Sequence, residues 1–174
     1  VGMAPLVSMA SILSEEKEKN TLRVLLMSNV RPAEYLLGIG SYLWTLCMIG
    51  ASVIGIGGGY RGKALLSFLL IMGFGILISI VVGAAVGSLS KNQMMATSIS
   101  VPVMMILSFL PMISMFNETV AKIARFAYPE QLRILISQLD HIKVSSEMVV
   151  VLIVNTVLAL SIFVFAYRKC GLES

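Results

Sequence analysis

The chain has 174 residues, 57% of them hydrophobic and only 13% charged, with a formal net charge of +4 and a mean hydropathy of +0.93. A soluble domain carries roughly twice that share of charge, whereas several apolar runs here reach the ~20 residues a helix needs to cross a ~30 Å hydrocarbon core. The basic residues are spread over every polar segment without interleaved aromatics, which excludes a nucleic-acid partner. Cys47, Cys170 and the single His141 form no metal or redox spacing. The expectation is an all-α, polytopic membrane protein embedded in a lipid bilayer.

Residues 1–13, VGMAPLVSMASIL, are apolar from the start and have neither a basic leader nor a cleavage site. They read as the end of a span, and the sequence as the C-terminal part of a longer one. Residues 14–31 break the apolar pattern with Glu15, Glu16, Lys17, Glu18 and Lys19, read as a charged turn. From residue 20 to 29 the pattern is that of a short amphipathic helix: Asn20 or Thr21 caps it, and Leu22, Leu25 and Leu26 share one face. Pro32 suits the first turn of the next helix, where its missing N–H costs nothing, and Glu34 favours the positive end of that helix dipole. The residues alone leave two readings of this segment, a self-solvating interfacial loop or a docking helix for a soluble partner.

Spans are expected over 35–59, 64–90, 95–116 and 148–167, giving four full spans and one partial. The first ends in GGGYRGK, residues 57–63, which fits part of a phosphate-binding loop. Ala64 stands where that loop needs a hydroxyl for magnesium, and no strand precedes it, so the stretch reads as a glycine-rich turn. In the second span Gly83 and Gly87 form a small face that lets another helix approach closely, either within the subunit or across a dimer. Pro102 and Pro111 should kink or split the third span. Met94, Met95, Met104, Met105, Met112 and Met115 cluster around it, as a hydrophobic path or as plain filler.

Residues 117–147 carry too many charges to span, yet Val120, Ile123 and Ala124, then Leu132, Leu135, Ile136 and Leu139, recur at helical spacing. Two short amphipathic helices, lying on the interface or dipping into it, are expected there. Asn117, Glu118 and Thr119 match the glycosylation triplet, a pattern too common to carry weight. In the last span Asn155 needs a hydrogen-bond partner on a neighbouring helix, since an unpaired amide is costly in lipid. No Asp, Glu, Lys or Arg lies inside a full span, which argues against an ion-driven carrier. The positive charges divide almost evenly between the two faces, and Arg168 with Lys169 weakly favours a cytoplasmic C-terminus.

The stretch SEEKEKNTLRVLLMSNVRPAEYLLG resembles the signature of the type-2 ABC transporter permeases. The likeness falls on Glu15, Glu16, Glu18, Thr21, Leu22, Leu25, Leu26 and Pro32, and departs at Asn20, where glycine is usual, at Arg23, where glutamate is common, and in the place of Pro32, after Arg31, where the family often has proline earlier in the turn. The resemblance implies a membrane-spanning subunit of an ATP-driven exporter in the cell membrane of a bacterium or archaeon. It implies a second permease subunit, alike or different, and cytosolic ABC ATPase subunits that carry ATP and magnesium. This chain would then hold no cofactor and no catalytic residue. Residues 20–29 would be the cytosolic coupling helix seated in the ATPase, and the short helices of 117–147 would be extracellular. A non-transporting membrane anchor or immunity protein that recruits a cytosolic partner is the competing reading.

Overall fold

A computed structural model describes residues 3–19, 32–137 and 146–170. Among these the elements are helices: α1 Ala4–Glu18, α2 Pro32–Gly57, α3 Lys63–Leu89, α4 Gln93–Ser114, α5 Glu118–Ala124, α6 Tyr128–Ser137 and α7 Ser146–Cys170. Three stretches are long and apolar enough to cross a membrane, Glu34–Gly57, Lys63–Leu89 and Gln93–Ser114, and a shorter apolar stretch, Val150–Ala166, lies within α7. The amphipathic segment at 20–29 lies outside the described residues.

The first helix is the core of the bundle. Leu6, Ala10, Leu13 and Ser14 of α1 are fully buried, packed among α2, α3 and α4. The apolar residues that cover it on one side come from α2 and α3, with Met9 meeting Leu43, Ile76 and Ile80. What allows such close approach is a face without side chains on α3. A Cβ at Gly83 would run into the Leu6 carbonyl oxygen, and one at Gly87 would stand 3.0 Å from the Ala10 oxygen and from the Leu13 Cβ. Both glycines of the small face therefore meet α1 of the same chain.

Outward faces are apolar: Leu37, Ile49 and Val53 on α2, Leu70 on α3, Ile106 on α4 and Phe165 on α7 are all more than half exposed. In water this would be a large unpartnered apolar surface; in a bilayer it is the lipid contact.

Two expectations change. The charged residues after Leu13 do not form a turn, because α1 continues through them to Glu18. Glu and Lys are good helix formers, and their side chains find partners described below. Of the two outcomes expected of Pro102 and Pro111, a kink or a split, the split does not occur, since α4 runs unbroken past both. Transmembrane helices tolerate the lost donors where neighbouring turns and hydroxyl side chains hold the freed groups.

The helix ends follow from local sequence. α2 closes in a glycine-terminated motif, with Tyr60 N donating to Gly55 O, Gly59 N to Ile56 O, and Gly59 in the left-handed region at φ 82°. The Tyr60 ring then stacks on Phe68 of α3, with centroids 5.2 Å apart. α4 is capped by Asn92, whose side chain accepts from Met95 N at 2.8 Å. Asn117 of the glycosylation triplet serves as the cap of α5, accepting from Thr119 N at 2.9 Å.

Gly83→Ala should cost about 1–3 kcal/mol of stability through overpacking, read as a lower thermal unfolding midpoint in detergent. Gly38→Ala, where a Cβ meets nothing within 4 Å, should leave the midpoint unchanged.

Candidate functional site

Two polar assemblies stand out from the apolar bundle, one at the charged end of α1 and one on the α5–α6 hairpin. At the first, four helices are tied by consecutive residues. Glu15 pairs with the exposed Lys19, and Glu16 hydrogen-bonds to the Tyr35 side chain at the start of α2. Lys17 Nζ donates to the Ser88 carbonyl at 2.7 Å, near the end of α3. Glu18 Oε2 accepts from the backbone N–H of Gln93 at 3.0 Å, at the first residue of α4. A further contact a turn back, Ser11 Oγ to Thr97 Oγ1 at 3.4 Å, joins α1 to α4 again.

Of the residues singled out in the sequence, Glu15, Glu16 and Glu18 thus sit together at this junction. Thr21, Leu22, Leu25 and Leu26 lie outside the described residues. Lys17, Tyr35, Ser88 and Gln93 belong to the same assembly and were missed. Lys17 was visible only as part of a charge run, and the other three offer no local signal, because their role depends on a partner distant in the chain.

The second assembly is the hairpin. Tyr128 reaches Ser79, near the middle of α3, with the hydroxyl oxygens 3.0 Å apart, and donates to Met3 Sδ at 3.2 Å. Leu132, one turn later, occupies the space that a Cβ on Gly75 would need. As the hairpin residue number rises by four, the α3 number falls by four, so α6 runs antiparallel to α3 from its middle toward its N-terminal end. The short helices dip well into the bundle.

Backbone at that depth must be satisfied by protein, and two amide side chains do it. Gln131 Nε2 donates to the Arg125 carbonyl at 2.6 Å. Asn155 Nδ2 on α7 donates to the Phe126 carbonyl at 2.8 Å and to Val151 O of its own helix at 2.8 Å. The partner of Asn155 is therefore the tip of the hairpin.

The hairpin also carries an ion pair into the bundle. Glu130 is only 4% exposed and accepts from Arg133 Nε at 3.0 Å and Nη2 at 2.6 Å. The Ser114 hydroxyl at the end of α4 lies 2.9 Å from Glu130 Oε2 and 2.8 Å from the Pro111 carbonyl, donating to one at a time. Burial alone would raise the Glu130 carboxyl. The hydrogen bonds from Arg133 and Ser114, with the charges of Arg133 and Arg125, outweigh it and hold the carboxyl below its usual range. The i, i+3 spacing of Glu130 and Arg133 was the available signal.

An apolar cavity of about 570 Å³ lies between α2, α3 and α7, with Met9 of α1 at one wall and Trp44, Leu77 and Phe163 among its other lining residues. None of the α4 methionines lines it, and Met94, Met105, Met112 and Met115 are exposed.

Among the described residues the buried charge lies on a hairpin, and with apolar outward faces and helices of spanning length this defines a multi-pass helical membrane protein. The sequence model of the ABC-2 family transporter proteins matches residues 2–165, and the chain belongs to that family. No curated protein and no solved structure matches it. As a member it is a transporter permease, a transport component that is not itself catalytic.

Asn155→Leu should cost about 1–2 kcal/mol, because the Phe126 carbonyl loses its donor where lipid offers none; thermal unfolding in detergent measures this. The lowered Glu130 carboxyl sets a sign for pH. Its stabilisation is complete above the ordinary carboxylate range of about 4.3 and is lost as pH falls through the lower folded-state value. Glu130→Gln should therefore unfold at lower temperature than wild type at neutral pH, with the gap closing in acid.

Proposed function

We propose that this chain is the membrane-spanning subunit of an ATP-driven exporter, working with cytosolic ABC ATPase subunits and a second permease subunit, like or unlike itself. The family membership over residues 2–165 carries the reading. α7 then crosses the membrane with α2, α3 and α4, making four full spans, and α1 is the end of another. The end of α1 and the α3–α4 turn face the cytosol, and the α5–α6 hairpin enters from outside. The membrane is the cell membrane of a bacterium or archaeon.

Residues 20–29 act as the coupling helix. Leu22, Leu25 and Leu26 fill an apolar groove on the ATPase in the helix-in-groove mode, with Thr21 at the helix start. Glu15, Glu16 and Glu18 border that contact, where their charges set register more than affinity. ATP and magnesium stay on the ATPase, and closure of its dimer displaces the coupling helix. The same amphipathic segment would suit a non-transporting anchor, but membership of a transporter family favours export.

Leu25→Asp tests the assignment in the complex reconstituted with its ATPase. Transport should fall at least tenfold, the scale expected when a charge replaces an interface anchor, while ATP hydrolysis continues. Transport that persists would remove the docking role.

A further inference from the structure

Each of Lys17 and Glu18 completes the end of a helix other than its own. The Ser88 carbonyl lies in the last turn of α3, with no further turn of that helix to bond it, at the negative end of the helix dipole. The Lys17 ammonium donates to it at 2.7 Å. The N–H of Gln93 opens α4 and lies at the positive end of that dipole, and the Glu18 carboxylate accepts from it at 3.0 Å. Two successive side chains on the last turn of α1 thus hold both sides of the α3–α4 turn, each matched in sign to the dipole it meets. Between the two ends, Ser90 N bonds back to Val86 O and Gly87 O, at 3.1 and 3.2 Å, and Asn92 caps α4 with its side chain. The turn is therefore a compact body, and α1 grips it by its two orphan groups.

We infer that Lys17 and Glu18 are positioning residues that carry a displacement of the 20–31 segment from the end of α1 into α3 and α4. The inference rests on the reading of that segment as the coupling element. α1 gives way to it directly after Lys19, whose N–H still bonds the Glu15 carbonyl at 2.9 Å. A pull there moves the last turn of α1 as a unit. With the two clamp bonds made, the α3–α4 turn must follow; without them the end of α1 is tied to α3 and α4 only further back, at Gly87 and Thr97, and the turn receives less of the stroke.

The test uses the whole transporter, this chain with its ATPase, reconstituted in vesicles. Gln93→Pro deletes only the donor: proline is accepted at the first helical position, and Asn92 before it is already extended at φ −146°, ψ 167°. Glu18→Leu deletes the acceptor. Both should lower transport per ATP hydrolysed about fivefold, the scale of one lost hydrogen bond. Gln93→Ala keeps the donor and should match wild type. A Gln93→Ala variant as impaired as Gln93→Pro overturns the inference, because the side chain and not the N–H that Glu18 accepts from would then matter. Wild-type coupling in Gln93→Pro overturns it too.

A distance measurement separates this from the docking assignment. Spin labels at Lys19→Cys and Lys91→Cys, with Cys47 and Cys170 replaced by alanine, should give a narrow distribution that broadens on adding Gln93→Pro or Glu18→Leu. No broadening in either overturns the clamp whatever residues 20–29 do. Broadening combined with intact transport in Leu25→Asp supports the clamp and overturns the docking role alone.

Discussion

The backbone of α1 lies against the backbone of α3, and the other contacts of the bundle are arranged around that approach. The Leu6 carbonyl occupies the place a side chain on residue 83 would take, and Ala10 and Leu13 do the same beside Gly87. In lipid no hydrophobic effect drives helices together, so affinity comes from packing density and short-range attraction, which small residues maximise. Once α1 is seated on that face, its remaining sides are open to α2 and α4, and Leu6, Ala10, Leu13 and Ser14 become fully buried. The position of α1 in turn fixes where its charged end emerges and where Met3, at the other end, can meet Tyr128.

A second constraint governs the polar groups. Irregular backbone cannot face lipid, so the hairpin tip is viable only because amide side chains from α6 and α7 reach its carbonyls. The charge on the hairpin obeys the same rule. Glu130 and Arg133 neutralise one another before they reach the bundle, and Ser114 stands beside the carboxylate. A buried pair of this kind is weak as a source of stability; it defines where the hairpin stops, between the end of α4 and the middle of α3.

Much of the architecture was legible in the residues, because span length and turn chemistry are local. The apolar runs, the glycine turn after α2 and the small face of α3 each follow from composition within one segment. The hairpin was legible as two short helices but not in its depth, since an interfacial helix and an inserted one share the same periodicity and differ only in what receives them. The central place of α1 was hidden for a similar reason: thirteen apolar residues look alike whether they face lipid or three neighbours. The charge cluster misled more directly. Read alone, Glu15 to Lys19 is a solvated turn; helix propensity and the partners at the ends of α3 and α4 together keep it helical. The proposed docking role of Leu22, Leu25 and Leu26 rests on family likeness and on sequence pattern.

The bonds of Lys17 and Glu18 join residues 71 and 75 positions apart, and that of Met3 with Tyr128 spans 125. A chain made and inserted from its N-terminal end must therefore hold α1 in the membrane before any of these partners exists. Its charged end can wait in water at small cost, since the groups there are hydrated until α3 and α4 arrive. Its middle, rich in serine and alanine, is poorly suited to wait in lipid and needs α3 early. The earliest made of these seven helices is thus among the last to be finished, and biogenesis of the bundle closes around it from the glycine face outward.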